Sequence, residues 1–502
     1  MKVGIVVQRY GADINGGAEL HARYIAERLA RHVQVEVLTT CATDYITWRN
    51  ALSPGTETVH GVPVRRFEVT RERDPEDFGR HSDRVFKTAH AYRDELAWLD
   101  SEGPTSPALI DYIRTHQSDF DFLIFFSFRY YHAFHGIRAA AAKSILVPTA
   151  ERDGALGLSI FRPIFRGVRA LMYNSFEERA LIRAVSNNTD VPGVVVGVGS
   201  EIPQHSSAMR FRQKFNIRDP FAIYIGRIDE NKGCAELFDY FQRYTRTYAE
   251  GVHLVLIGNP IIPIPQHPRI RHLGFVEDQD KYDALAASEL LIMPSYFESL
   301  SMVALEAWAM GKPVLANGRC DVLKGQCVRS NGGLYYDNFA EFLETLRAIE
   351  FSVSLATALG RNGRAYFNLH YTWPVIEKKY LEMFDRLKRE SYANPIEPMP
   401  GWFVRRRQTL PPADDVVAKL PTGPALTSTV PETLDPSTQQ PVAAPVPPAQ
   451  LPPAPSPQPP PAPPARHQST QARFDRRGDG RAHRNPHRRR GFDRRPPRRS
   501  GS

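Results

Sequence analysis

Two carboxylates with seven residues between them, Glu298 and Glu306, stand in the segment ESLSMVALE, just after the apolar run ELLIMPS (289–295). An ionised carboxylate only accepts hydrogen bonds, which suits the hydroxyls of a sugar or a ribose. A helix beginning between the two would also present the amides of Ser299 and Leu300. Upstream, GRIDENKG (226–233) sets Arg227 and Lys232 where a strand ends and a helix begins. Fixed charges there could hold a diphosphate and neutralise the charge it gains as a leaving group. Near the N-terminus, Gly16 and Gly17 of GGAE separate an apolar run from a helical pattern. Glycines permit close approach to the backbone, and a helix N-terminus offers unpaired amides to an anion. Each feature also has a plain reading: a surface glutamate, a solvated basic loop, a tight turn. The glycines do not form G-x-G-x-x-G, so a nicotinamide cofactor is not indicated.

These residues need strands and helices in alternation to bring them together. KVGIVVQ (2–8), VQVEVLTT (33–40), FDFLIFFSF (120–128), SILVPTA (144–150) and ALMYNS (170–175) read as buried parallel strands, with a helix over 17–31. The polar stretch 41–118 between them reads as an insertion holding one helix. A second series begins with FAIYIGRI (221–228) and a helix over 234–248. It continues with VHLVLIGN (252–259), IRHLGFV (270–276), ELLIMPS, a helix over 301–310 and KPVLANG (312–318). The fold class is therefore α/β, with two facing doubly wound domains, 1–200 and 201–371, joined near 193–206. Ligands of such sheets bind at the carboxyl ends of the strands, so facing domains share one cleft. A helix over 372–390 closes the body, which is expected to survive truncation at 391.

The chain has 502 residues and a formal net charge of +9, and the charge is unevenly placed. Residues 466–502 carry 13 Arg against 3 Asp, while 1–390 is formally neutral. Residues 391–502 hold 25 of the 42 prolines. The basic balance thus belongs to a tail, which excludes a basic nucleic-acid-binding globule. A Pro-rich linker (391–465) and an Arg-rich tail (466–502) both read as disordered. Such a tail suits a polyanion, either anionic lipid head groups, with Trp402-Phe403 as a small interfacial anchor, or RNA, or serves only to solubilise. Specific nucleic-acid binding is not expected. Four cysteines show no metal or disulfide spacing, no apolar run is long enough to span a bilayer, and Val3–Val7 is too short for a signal peptide. A cytoplasmic protein is expected, with peripheral contact at the inner face of the membrane through the tail.

Taken together, GGAE, GRIDENKG, LIGN, LGFV and PSYFESLSMVALEAWAMGKPVLA resemble the family-4 glycosyltransferases of the two-Rossmann GT-B architecture, over about residues 1–390. The resemblance implies a retaining, nucleotide-sugar-dependent transferase, a hexosyltransferase of polysaccharide or lipopolysaccharide biosynthesis, acting on a glycan or lipid-linked acceptor. It implies donor binding by Gly16, Gly17, Arg227, Lys232, Val276, Glu298, Ser299, Leu300 and Glu306. Glu298 would contact the donor sugar, Glu306 the ribose, Arg227 and Lys232 the diphosphate, and Phe275–Val276 the base. The crossing helix 372–390 would complete the first domain.

The sequence departs from that pattern in the loop where many members carry a histidine. Here it reads VPTAERDG (147–154), leaving Glu151 or Asp153 to stand in, of which Asp153 is the catalytic candidate. His132 and His135, one strand earlier, read as ordinary histidines. Two D-x-D segments, 119–121 and 278–280, match a metal-bound diphosphate pattern but sit where aspartates commonly cap or lead into elements. With Arg227 and Lys232 present, neither a metal nor a cofactor is called for. The competing readings are a nucleotide-sugar epimerase or a phosphorylase on the same fold, and an inactive interaction protein acting through its tail.

Overall fold

A computed structural model describes residues 1–14, 16–400 and 417–418. The first sheet has eight strands: β1 (Lys2–Val6), β2 (Gln34–Thr40), β3 (Gly55–Val59), β4 (Val62–Phe67), β5 (Phe122–Phe126), β6 (Ser144–Val147), β7 (Ala170–Tyr173) and β8 (Gly193–Val195). Their order is β3-β4-β2-β1-β5-β6-β7-β8, parallel throughout except for the β3–β4 edge hairpin. The second sheet has six: β9 (Phe221–Ile225), β10 (His253–Ile257), β11 (Ile270–His272), β12 (Leu290–Met293), β13 (Val314–Asn317) and β14 (Gly333–Tyr336). Its order is β11-β10-β9-β12-β13-β14, and every pair is parallel.

The strands are apolar on both faces because both faces are covered. In the first sheet, Val3, Ile5, Ile124 and Val147 face one layer, which includes Ala22, Ile25 and Leu29 of the helix Gly17–Leu29. Val6, Leu123, Phe125 and Leu146 face the other, against Ile113, Phe134 and Ile137. The first of these cores continues without a break into the second sheet, through Phe221, Ile223, Leu291 and Val314. In each sheet the strand order reverses beside the first strand, at β1/β5 and at β9/β12. Those are the switch points where a doubly wound sheet opens a crevice at its carboxyl edge.

The closing helix Trp373–Arg389 lies against the first domain. Phe384 stacks on Phe122 at 5.4 Å between ring centroids, and Trp373 meets Tyr24 edge-on at 5.9 Å. Arg28 lies over the Trp373 ring, 4.7 Å from its centroid.

Two expectations need correction. The stretch 41–118 holds the β3–β4 hairpin and three helices, Pro75–Lys87, Tyr92–Glu102 and Pro107–His116, not one. The first of these helices buries only Val85, so apolar periodicity could not reveal it. Its signal was the cap: Asp74 accepts from the amides of Glu76 and Asp77 and is followed by proline. The second correction concerns the end of the body. The chain remains on the first domain to Pro400, so 391–400 is not a disordered linker. Tyr392 donates to the Gly167 carbonyl at 2.5 Å, Arg138 donates to that of Glu397 at 2.8 Å, and Ile396 and Met399 join the first-domain core. Gly167 has no room for a Cβ beside Ile396. From residue 401 the linker, the Trp402-Phe403 anchor and the Arg-rich tail lie outside the described residues, 417–418 excepted. No helix among the described residues is long and apolar enough to cross a membrane.

The strap 391–400 predicts a difference between two truncations. Ending the chain at Glu390 should cost about 1–3 kcal/mol of folding free energy, through lost apolar burial and hydrogen bonds. Ending it at Pro400 should cost nothing. Calorimetric unfolding of both truncations beside the full chain checks this, and equal midpoints for the two would refute it.

Candidate active site

Most of the residues singled out from the sequence follow the strands that flank the two switch points, while Asp153 follows β6 and Val276 follows β11. β9 runs into Gly226, at φ 151°, and the chain then places Arg227 and Lys232 around one buried carboxylate. Asp229 pairs with the Arg227 guanidinium and accepts from the Lys232 amide at 2.7 Å. Gly233, at φ 71°, approaches Pro294 too closely for any side chain and opens the helix Cys234–Thr247. The Lys232 ammonium then reaches Glu298 in the loop after β12, at 2.7 Å. Burial works against the charge on Lys232, but Glu298 and Glu151 more than offset it and hold its pKa above the usual value.

Ser299 and Leu300 follow, and among the described residues nothing accepts from their amides. Ser301, at φ 69°, caps the helix Met302–Ala309, whose first-turn Ala304 amide it accepts at 3.4 Å. Glu306 lies inside that helix and is 3% exposed. One carboxylate oxygen accepts from Lys281 at 3.0 Å and from the Tyr282 hydroxyl at 3.1 Å. The other, Oε2, is buried with no hydrogen-bond partner among the described residues. Native proteins seldom leave a buried carboxylate oxygen unpaired, so this atom calls for an external donor. Val276 is half-buried beyond Gly274 in the loop after β11.

From the first domain, Gly16 caps the helix Gly17–Leu29 with no side-chain cap. The two glycines have different causes. A Cβ on Gly16 would strike Glu19, which is locked to Arg9 at 2.8 Å, whereas among the described residues nothing lies within 4 Å of where a Gly17 Cβ would be. Gly16 is therefore explained by packing, and Gly17 leaves open space over the helix start.

In the loop after β6, Glu151 and Asp153 have different surroundings. Asp153 accepts from Arg129 at 2.7 Å and caps a short turn through the Leu156 amide at 3.2 Å. Arg129 is fixed in turn by Glu102 at 2.8 Å. Asp153 is thus committed to structure, while Glu151 faces Lys232 and Glu298. Burial, and next the Glu298 charge, push the Glu151 carboxyl up to about 7. Its backbone is set by Glu178, which accepts from the Ala150 amide at 2.6 Å and the Asn174 amide at 2.5 Å. A cavity of about 330 Å³ opens here between the domains, lined by Glu151, Arg152, Glu177, Tyr296, Glu298 and Asp321. His132 and His135 are core residues: His132 binds the Phe126 carbonyl at 2.9 Å, and His135 packs on the Tyr131 ring.

Three of the four D-x-D aspartates have partners within the protein. Asp121 accepts from the Lys2 amide, Asp280 pairs with Lys214 and Asp278 with Lys281. No group of three or more metal-ligating side chains occurs among the described residues. Sequence reasoning overlooked Asp229, Lys281, Tyr282 and Glu178. Asp229 lay inside a motif already singled out, and Ser175-x-x-Glu178 has the spacing of a helix cap. Lys281 and Tyr282 carried no signal before the two helices were placed side by side.

Residues 219–349 match the family model described as "Glycosyl transferases group 1". Mannosylfructose-phosphate synthase of Agrobacterium fabrum is 26% identical over 120 residues, which span 21% of this chain and only 26% of that protein. Among solved structures, sucrose-phosphate synthase from Thermosynechococcus elongatus aligns with a TM-score of 0.56 at 15% identity, over 77% of this chain and 98% of its own. The architecture is GT-B. HepE of Anabaena, solved in complex with UDP-glucose, gives 0.56 at 16% identity over 77% and 100% of the two chains. The GT-B frame explains why loops far apart in sequence converge: each domain brings its switch point to the same cleft.

Glu151 has a stability signature. Between the ordinary carboxyl value of 4.5 and about 7 the folded protein keeps a proton that the unfolded chain has released. Stability therefore falls as pH rises through that window. Glu151→Gln mimics the protonated form and removes the slope. The variant should unfold at the same temperature as the parent at pH 4 and a few degrees higher at pH 8. Thermal unfolding at both pH values measures this, and parallel profiles would count against the buried placement.

Proposed function

We propose that the chain transfers a sugar from a nucleotide-sugar donor to a hydroxyl of a glycan or lipid-linked acceptor, with retention at the anomeric carbon. The observation that carries this reading is Glu306. A buried carboxylate with one oxygen paired and the other unpaired fits a ribose hydroxyl, and it lies inside the segment matched by the glycosyltransferase model. The UDP-glucose in the HepE structure puts uridine donors first in any panel.

The remaining residues then take roles along the donor. The Val276 backbone meets the base, and Glu306 holds the ribose. Arg227, Lys232 and the Gly17 helix start grip the diphosphate, with the amides of Ser299 and Leu300 beside it. Glu298 and Glu151 face the transferred sugar and the incoming hydroxyl. The bond from the anomeric carbon to the diphosphate oxygen breaks, and the acceptor oxygen bonds to that carbon on the same face. The acceptor's proton passes to the departing diphosphate. The charge that grows on the leaving group is what Arg227 and Lys232 stabilise, at about 1.5–3 kcal/mol for each charge-assisted contact. A transferase of polysaccharide or lipopolysaccharide assembly fits such an acceptor.

The test is Glu306→Ala. Loss of one hydrogen bond to a charged acceptor should weaken nucleotide-sugar binding by roughly 10- to 100-fold. Titration calorimetry against UDP and nucleotide sugars reads this directly, with thermal unfolding as the control for folding. Unchanged affinity in a folded variant would remove Glu306 from the donor site.

A further inference from the structure

We infer that Tyr45, on the loop after β2, is the first domain's positioning residue for the diphosphate grip; this rests on the donor placement proposed above. The Tyr45 hydroxyl accepts a hydrogen bond from the Arg227 guanidinium at 3.3 Å, across the cleft from one domain to the other. The other side of that guanidinium is held by Asp229. Arg227 is thus fixed from two directions, by its own loop and by the opposite domain. Its guanidinium has five N–H groups, so donors remain for an anion, and the side chain is 44% exposed.

The loop that carries Tyr45 is rigidly built. The Asp44 carboxylate accepts from the amides of Ile46 at 2.8 Å and Thr47 at 2.7 Å, and from the Thr47 hydroxyl at 3.0 Å. Arg73 donates to the Tyr45 carbonyl at 2.8 Å. The ring stands by the Arg9 guanidinium, 5.6 Å from its centroid, and Arg9 is itself fixed by Glu19 and the Thr43 carbonyl. So much fixation for a tyrosine left 45% exposed is not needed to fill a core. It places one hydroxyl. That hydroxyl accepts from Arg227 and keeps its own proton to donate, and a phosphate oxygen is an acceptor of the right kind.

The function that follows is preorganisation. A free arginine side chain has much rotamer entropy to lose, and holding its fork before the donor arrives removes that cost from the reaction. An arginine aimed at the leaving oxygens acts most strongly as charge develops there. Its supporter should therefore affect turnover more than donor binding.

The experiment is a double-mutant cycle on the full chain, with Tyr45→Phe, Arg227→Lys and the pair, using the most active nucleotide sugar from a panel that starts with UDP-glucose. Tyr45→Phe keeps the ring and removes the hydroxyl. It should lower kcat roughly 10- to 100-fold, with the donor KM within about twofold and thermal stability unchanged. In the Arg227→Lys background it should have little further effect. Wild-type kinetics for Tyr45→Phe overturn the inference, and so do equal losses in both backgrounds. Full activity in Tyr45→Phe with destabilisation only in Tyr45→Ala would make the ring a structural support and likewise overturn it. A wild-type chain inert toward every nucleotide sugar would instead refute the transferase reading and take this inference down with it.

Discussion

Lys232 is the charge on which the arrangement of the cleft depends. Its ammonium is bonded to Glu298 of its own domain and feels the field of Glu151 from the other. Two carboxylates facing each other in a half-dry cleft would repel, and burial alone already favours the protonated form of Glu151. A single cation between them lets both remain in place. Removing one partner of such a group leaves charge uncompensated, which costs more than the pair contributes when intact. The glycines at 226 and 233 serve the same end, because they allow the turn that aims Lys232 across β12.

Around that centre the two domains meet through polar contacts as well as through the shared apolar core. Arg152 reaches Asp321 at 2.5 Å, Arg329 pairs with Glu177, and Arg227 reaches Tyr45. The Arg152–Asp321 pair is more than half exposed on both sides, so solvent and salt screen it and its contribution to holding the domains is small. Contacts of that kind favour one relative placement without locking it. The apolar continuity runs elsewhere, through Tyr371, Trp373, Ile376 and Phe384.

Ten of the fourteen strands were legible because parallel strands covered on both faces are short, nearly unbroken apolar runs, and the loops that follow them could be located from that alone. The other four, β3, β4, β8 and β14, which are exposed or only partly buried, were not. The positions of Gly17, Arg227, Lys232, Glu298 and Glu306 relative to the ten legible strands could be read for the same reason. The choice between Glu151 and Asp153 was not, since it turns on Arg129 and Glu102, which reach the loop from other elements. Tyr45 was hidden in a polar stretch whose helices bury little, and nothing local marks it as facing the opposite domain. The strap 391–400 was missed because its anchors are single residues, Tyr392 and Ile396, in a segment whose prolines suggest a linker.

The path of the chain through the closing helix and strap sets an order of assembly. Phe122 of β5 finds its stacking partner in Phe384, and Gly167 waits for Tyr392 and Ile396. A ribosome delivers these partners only after it has made the whole second domain, and contacts so remote in sequence form late. The second domain, by contrast, contains its own sheet and the helices that cover it within one continuous stretch. During synthesis the half of the protein that emerges first therefore stays open along one side, and the half that emerges second supplies the segment that seals it. The N-terminal domain is begun first and finished last.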